Sequence, residues 1–214
     1  MRYTSFLEYV SRNSSDLNNI TEQAIAGYGD WNPVTDKLYT KSIKQLKAEW
    51  EYIDNIPLGV LKFDIYKIKN KDVFILGKLT ESGFNTSFHI ELMPRKNIGS
   101  EFKQYKKLVS VDGVIAEENI RGNGIAKLVY KYLVQKLGYT ILGDEIQYHK
   151  ARLTWVSLSF MDDVLVDIID INKGEVLVKD THLHHGEEDY EFDERVWDYA
   201  DIKKNIRLVL TKVL

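Results

Sequence analysis

Residues 114–142 read VIAEENIRGNGIAKLVYKYLVQKLGYTIL, and this stretch decides the fold. The apolar run that ends at residue 116 predicts a strand, and the glycines near residue 123 predict a turn before a helix. Such a strand, turn and helix direct several free backbone N–H groups at one point, which suits phosphate oxygens. Gly122 and Gly124 have no Cβ, so a bulky diphosphate can approach the main chain. Arg121 can add a charged hydrogen bond. The turn therefore predicts an anionic ligand.

The residues after the turn have the spacing of an amphipathic helix that runs from residue 125 to residue 137. Gly138 ends this helix, residues 139–142 predict a short strand, and residues 144–160 predict a second helix. The predicted order is therefore strand, turn, helix, strand, helix. The apolar face of the first helix carries Ile125, Leu128, Val129, Tyr132 and Leu133.

This order and the hexapeptide at residues 121–126 resemble the GCN5-related N-acetyltransferase (GNAT) superfamily. The acyl-CoA site of that superfamily carries the pattern Gln/Arg-x-x-Gly-x-Gly/Ala, which Arg121, Gly124 and Ala126 match position by position. The resemblance covers residues 107–178, and its detail resembles divergent GNAT-like proteins encoded by bacteriophages. It implies an α/β (α+β) fold with a mixed, mostly antiparallel central sheet flanked by helices.

The resemblance also implies the acyl donor, which is acetyl-CoA or another acyl-CoA. In the family the turn amides hold the pyrophosphate of coenzyme A, and the splayed end of the preceding strand pairs with the pantetheine arm. The donor-binding residues implied in this way are Val114, Ile115, Ala116, Arg121, Gly122, Asn123, Gly124, Ile125 and Ala126.

Amide formation from a thioester needs a neutral amine, a route for its proton and a means to stabilise the departing thiolate. Glu117 and Glu118 end the donor strand, where a carboxylate can accept the amine proton; alternatively, both solvate the strand end. Tyr148 falls near the start of the second helix, where GNAT enzymes often place a tyrosine acid, or it is an ordinary half-buried ring. Many members carry an asparagine where residues 143–145 read Gly-Asp-Glu, and an extra carboxylate near an anionic donor is unfavourable unless it turns away.

Length and composition exclude several other classes of protein. With 214 residues and 44% hydrophobic content, the chain is one generous domain or a domain with an appendage. The absence of cysteine excludes disulfides, thiolate nucleophiles and cysteine-ligated metals. The net charge of −3 offers no general attraction to nucleic acid. Without a long apolar run or a secretory signal, the chain is predicted to be cytoplasmic, in the host cytoplasm if it is phage-encoded.

The chain divides into a predicted helical N-terminal segment, residues 1–56, packed on a GNAT-like domain, residues 57–214. The firmer helical pattern in the first segment runs from Asp36 to Tyr52. Alternating apolar and polar residues then predict an antiparallel meander followed, later, by a hairpin around residues 172–174 and a last strand. The strands are predicted at residues 60–68, 73–79, 87–93, 164–168, 175–178 and 206–211.

Two further groups of residues are weaker candidates for a site. His182, His184 and His185 can bind a metal, but without a second, separate ligand pair no metal site is predicted. The acidic run at residues 187–194 can attract an amine-bearing substrate, or it is a solvated loop.

Two shorter patterns lie near the predicted donor strand. His89 and Glu91 share one face of a strand, so they can line an acceptor groove, or they lie in the core or on the surface. A loose basic segment between Arg95 and Lys107 can meet the adenosine phosphates of a nucleotide ligand, or it is solvated.

Two functions follow from these expectations. The first is an N-acyltransferase that acylates an amine-bearing small molecule or protein. The second is a catalytically inactive GNAT-like phage protein that acts as a structural or protein-binding module. Edge strands that pair between copies can support a homodimer.

Overall fold

The computed structural model describes residues 40–59, 61–81, 83–95, 102–143, 149–181 and 205–213. Within these ranges the chain forms ten strands, three α-helices and a short 3-10 helix, Glu118–Ile120. In chain order they are β1 (Thr40–Lys41), α1 (Ile43–Glu49), β2 (Trp50–Leu58), β3 (Leu61–Ile68), β4 (Val73–Thr80), β5 (Gly83–Pro94), β6 (Leu108–Ala116), α2 (Ile125–Gln135), β7 (Thr140–Leu142), α3 (His149–Ser159), β8 (Val164–Asp170), β9 (Glu175–Val178) and β10 (Ile206–Lys212).

All ten strands belong to one mixed sheet. Its order is β2-β3-β4-β5-β6-β7-β10-β8-β9, and β1 pairs beside β5. Neighbouring strands run antiparallel except for β6 and β7, which are parallel and are joined through α2. The prediction of an α+β fold with a mostly antiparallel sheet is confirmed. The predicted helical residues 1–39 lie outside the described residues.

The helical pattern of the N-terminal segment is shorter than predicted. Helix α1 begins after Ser42, which forms a capping box with Gln45, and it ends at Glu49. The helical interpretation is wrong for Trp50 to Tyr52, because these residues begin β2 and pair with β3. Pairing and burial of Trp50 in the sheet therefore outweigh the helical spacing of the apolar residues. Strand β2 also runs across the predicted boundary between residues 56 and 57.

The predicted meander and the later hairpin are confirmed. Strands β3, β4 and β5 follow one another as antiparallel neighbours, and Gly83 is the first residue of β5 rather than part of a turn. The connection from β8 to β9 places Gly174 at φ +70°, the left-handed conformation that its sequence position predicts. Strand β10 inserts between β7 and β8, so the last predicted strand completes the sheet.

Helix α2 carries the predicted turn at its N-terminus, and polar contacts hold it on the meander. Its buried side chains are Ile125, Val129, Tyr130, Leu133 and Val134. The Tyr132 hydroxyl donates to Asp54 Oδ2 over 3.1 Å, at the bulge in β2. Burial, with the hydrogen bond and charge of Asp54, raises the pKa of Tyr132 to about 12, so this donor stays protonated at neutral pH.

A second polar cluster fixes the C-terminal end of α2. The Tyr139 hydroxyl donates to Asp72 Oδ1 over 2.6 Å, and Lys67 Nζ lies 2.9 Å from the same oxygen. Lys107 Nζ donates to Leu137 O over 3.0 Å and lies 5.6 Å from the centre of the Tyr139 ring. Burial favours a higher pKa for Asp72, but the hydrogen bonds from Lys67 and Tyr139 and the charges of Lys67 and Lys107 outweigh it. The pKa of Asp72 is therefore held below its ordinary 3.8.

We expect the Asp72 cluster to stabilise the fold most above pH 4. Because the folded-state pKa of Asp72 is lowered, its contribution is present above about 3.8 and is lost as pH falls through the folded value. Asp72→Asn should lower the free energy of unfolding at pH 7 by on the order of 1 kcal/mol, and this difference should shrink toward pH 2. Denaturant unfolding of both proteins across this range checks the result, and a difference that stays constant with pH would contradict it.

Candidate functional site

Strands β6 and β7 pair over three residues only. Leu108, Val109 and Ser110 pair with Thr140, Ile141 and Leu142, and β7 then ends. Strand β6 continues to Ala116 with β5 on one side only. In the part of the chain that the structure describes, no strand pairs with the other edge of β6 over residues 111–116. Among the described residues, the backbone of β6 is therefore unpaired on this side, and the space beside residues 111–116 is called the cleft.

A bulge in β6 lies just beyond the residues that pair with β7. Leu92 of β5 pairs with Val111 and Glu91 pairs with Gly113, so Asp112 is an extra residue in β6. A bulge of this kind bends its strand and increases the local twist. It lies two residues beyond Ser110, the last residue of β6 that pairs with β7.

The hydrogen-bonding groups at this open edge are identified by the alternation of the strand. The Glu117 amide donates to Ser87 O of β5 over 2.9 Å, so Glu117 and Ile115 direct their backbone groups towards β5. Val114 and Ala116 consequently direct theirs towards the cleft. The side chain of Val114 is 39% exposed, although its partner Ile90 is fully buried. The edge thus offers backbone donors and acceptors beside an exposed apolar side chain.

The turn after β6 has the conformation that the sequence predicts. Gly122 has φ +76°, and Gly124 has φ +79° and ψ +13° as the N-cap of α2. A side chain is disfavoured at such angles, which explains why glycine occupies both positions. A methyl group on Gly122 would meet no atom within 4 Å among the described residues, and one on Gly124 would meet Lys127 Cε at 3.8 Å. No described side chain therefore fills the corner.

Several amides of this turn remain available to a ligand. The Arg121 amide donates to Glu117 O and Glu118 O, and the Asn123 amide donates to Ile120 O over 3.4 Å. The amides of Gly122, Gly124, Ile125 and Ala126 have no hydrogen-bond partner within the described ranges, and the first bond of α2 runs from the Leu128 amide to Gly124 O. Because these amides lie at the positive end of the helix dipole, the corner is suited to an anion.

Arg121 connects the turn to the open strand. Its Nε donates to Ala116 O over 2.7 Å, so the guanidinium group satisfies one of the carbonyls that face the cleft. The predicted donor-binding residues, 114–116 and 121–126, are therefore brought together by this hydrogen bond. The arrangement shows a structural role for Arg121 that the sequence pattern did not reveal.

The structure describes two of the three candidate catalytic residues. Glu117 is half-buried at the junction of β6 and the 3-10 helix, and Glu118 is exposed in the first position of that helix. Tyr148, the histidines at residues 182, 184 and 185, and the acidic run at residues 187–194 lie outside the described residues. The 3-10 helix that contains Glu118 is not predicted by the sequence pattern.

Lys107 does not lie at the predicted anion site. It contacts Leu137 and Tyr139, beyond the C-terminal end of α2. Since α2 has 11 residues, its two ends are about 16 Å apart. The basic segment therefore does not bring the Lys107 charge to the turn, and Arg95 Nε instead donates to Ser110 Oγ over 2.8 Å.

His89 and Glu91 form a bonded pair in the sheet. His89 Nε2 lies 2.8 Å from Glu91 Oε1, with the His89 side chain 6% exposed and the Glu91 side chain 27% exposed. The two-residue spacing in the sequence predicts a shared face, and the structure adds the direct contact. Both residues pair across to β6, opposite Ile115 and Gly113.

Known proteins provide no relative with which this site can be compared. No protein family, no curated protein and no solved structure gives a match to this chain. Among the described residues, none of the helices has the length and apolarity required to cross a membrane.

Proposed function

We propose that this protein is an acyl-CoA-dependent N-acyltransferase of the GNAT type that transfers an acetyl group to an amine. The observation that carries the proposal is that the available turn amides and the open edge of β6 meet at one corner, joined by the bond between Arg121 and Ala116. Coenzyme A has a diphosphate followed by a long arm with two amide groups. A ligand of this kind needs an anion site and a strand edge next to each other.

Each part of the site has a distinct task in this proposal. The amides of Gly122, Gly124, Ile125 and Ala126 bind diphosphate oxygens at the start of α2. The backbone of Val114 pairs with the amide-bearing arm as an added strand would, and its side chain covers part of the arm. Acetyl-CoA supplies an acyl group already activated as a thioester. Glu117 and Glu118 are the sequence-predicted acceptors of the amine proton, and Tyr148 is the predicted acid for the thiolate.

A second candidate is a GNAT-like scaffold without catalysis, of phage origin, that binds another macromolecule. The residues after β7 favour it, because Gly-Asp-Glu at 143–145 replaces the asparagine that many members of the family carry. The Gly143 amide is already used, since it donates to Leu208 O over 2.8 Å. This candidate predicts that acetyl-CoA does not bind.

Acetyl-CoA should stabilise the protein against thermal unfolding. At about 100 times its dissociation constant, a ligand that binds only the folded state adds roughly 2.7 kcal/mol, which corresponds to a rise of about 5 to 10 °C in Tm for a domain of this size. Adenosine 3′,5′-diphosphate lacks both the arm and the pyrophosphate linkage, so it should give a smaller rise at the same concentration. Unchanged Tm values with acetyl-CoA up to millimolar concentrations would favour the non-catalytic candidate.

A further inference from the structure

Glu91 lies on β5, and its neighbour on β6 belongs to the last part of the candidate donor strand. His89 and Glu91 are two residues apart along β5 and are in direct contact, so their side chains share one face. Their partners on β6 are Ile115 and Gly113, respectively. The pair of Glu91 and Gly113 therefore lies next to the bulge, within the part of β6 whose other edge is open.

The missing side chain of Gly113 leaves room beside Glu91. A methyl group built on Gly113 would meet no described atom within 4 Å. Any larger residue at this position would stand between Glu91 and the open edge, because directly opposed residues in an antiparallel pair lie about 5 Å apart. The described residues thus leave open space beside Gly113, the residue that pairs with Glu91.

His89 holds this carboxylate in place. The imidazole is almost fully buried, and its Nε2 lies 2.8 Å from Glu91 Oε1, whereas the Glu91 side chain is 27% exposed. A buried imidazole behind a more exposed carboxylate restricts the carboxylate to one orientation, as preorganised sites require. The Glu117 side chain makes no capping hydrogen bond at the start of the 3-10 helix.

We infer that Glu91 is a catalytic residue that accepts the proton of the attacking amine, with His89 as its positioning residue. This inference rests on the acyl-transfer function proposed above. The amine nitrogen forms a C–N bond with the acyl carbon, the C–S bond breaks, and its electron pair leaves with the sulfur. In this inference Glu91 takes the roles that the sequence predicts for Glu117 or Glu118 and for Tyr148, because the proton released by the nitrogen passes to Glu91 and then to the departing thiolate. The products are an amide and the free thiol of coenzyme A, and the carboxylate is regenerated.

Glu91→Gln tests the catalytic role. Acetyl-CoA is mixed with n-butylamine or with an Nα-blocked lysine amide, and the released thiol is measured with a thiol reagent, to which this cysteine-free chain gives no background. Loss of a general base should lower kcat by about 100-fold or more. The rise in Tm with acetyl-CoA should remain at its wild-type value, because the turn is unchanged. Glu175→Gln, on β9, removes an exposed carboxylate far along the sheet and should leave kcat unchanged.

His89 is tested by its coupling to Glu91. His89→Leu should lower kcat without changing the acetyl-CoA response, and His89→Gln, which keeps a donor, should lower it less. In the Glu91→Gln background, His89→Leu should cause no further loss of kcat, because the carboxylate that His89 positions has already been removed.

The outcomes distinguish this inference from the proposed function. Wild-type kcat in Glu91→Gln overturns the inference. A wild-type protein that binds acetyl-CoA but acetylates neither probe also overturns the inference, while the assignment of the donor site is retained. A wild-type protein without any acetyl-CoA response overturns both.

Discussion

Gly124→Leu should abolish the stabilisation that acetyl-CoA gives. Gly124 caps α2 at φ +79°, and its amide is one of those available at the turn. A leucine there would place a side chain where a diphosphate must approach. The expected rise of about 5 to 10 °C in Tm should fall to within error of zero. The measurement is thermal unfolding with and without acetyl-CoA.

The same helix provides a matched control. Gly138 follows the C-terminal end of α2 at φ +71°, and an added methyl group there would meet no described atom within 4 Å. Leucine at either glycine therefore has the same backbone cost of roughly 1–2 kcal/mol. Gly138→Leu should lower the Tm of the free protein to a similar extent and retain the full acetyl-CoA response. A Gly124→Leu protein that still responds like wild type would remove the turn from the donor site.

Gly77→Ala should cause the largest loss of stability among single methyl additions to the sheet. A Cβ at Gly77 would lie 2.0 Å from Asn85 O and 2.7 Å from Phe84 Cζ. Asn85 O is a backbone atom, so β4 and β5 must move apart at their register shift to admit the methyl group. Overpacking usually costs 1–3 kcal/mol, and we expect more than about 3 kcal/mol because rigid backbone is involved. Denaturant unfolding measures the free energy lost.

Gly113→Ala is the corresponding control for stability. Gly113 also lies in a strand, but an added methyl group would meet no described atom within 4 Å. Its free energy of unfolding should stay within about 0.5 kcal/mol of wild type. Equal losses in the two variants would show that the close approach of Asn85 to Gly77 is not what requires glycine there.

The sequence predicts the turn well, because its cause is local. Positive φ at Gly122 and Gly124 follows from residue type, and the following apolar spacing fixes where α2 begins. The strands of the meander are predicted for the same reason, since alternation is a property of neighbouring residues. Their sheet order requires contacts between distant residues, so only its antiparallel beginning can be predicted.

The remaining features depend on partners that local patterns do not encode. Trp50 has helical spacing with Leu46, yet it belongs to β2 because β3 pairs with it. The bulge at Asp112 cannot be predicted from the sequence, because an extra residue in one strand is defined only by its register with the neighbouring strand. The bond between Arg121 and Ala116 likewise depends on the path of the chain between them.

The parallel seam between β6 and β7 consists of three residue pairs, Leu108 with Thr140, Val109 with Ile141, and Ser110 with Leu142. It is where the meander half of the sheet joins the half formed by β7, β10, β8 and β9. A ligand bound along the unpaired edge of β6 would lie directly beside this joint. Because it would add backbone pairing to β6 beside these three pairs, it would extend the connection between the two halves.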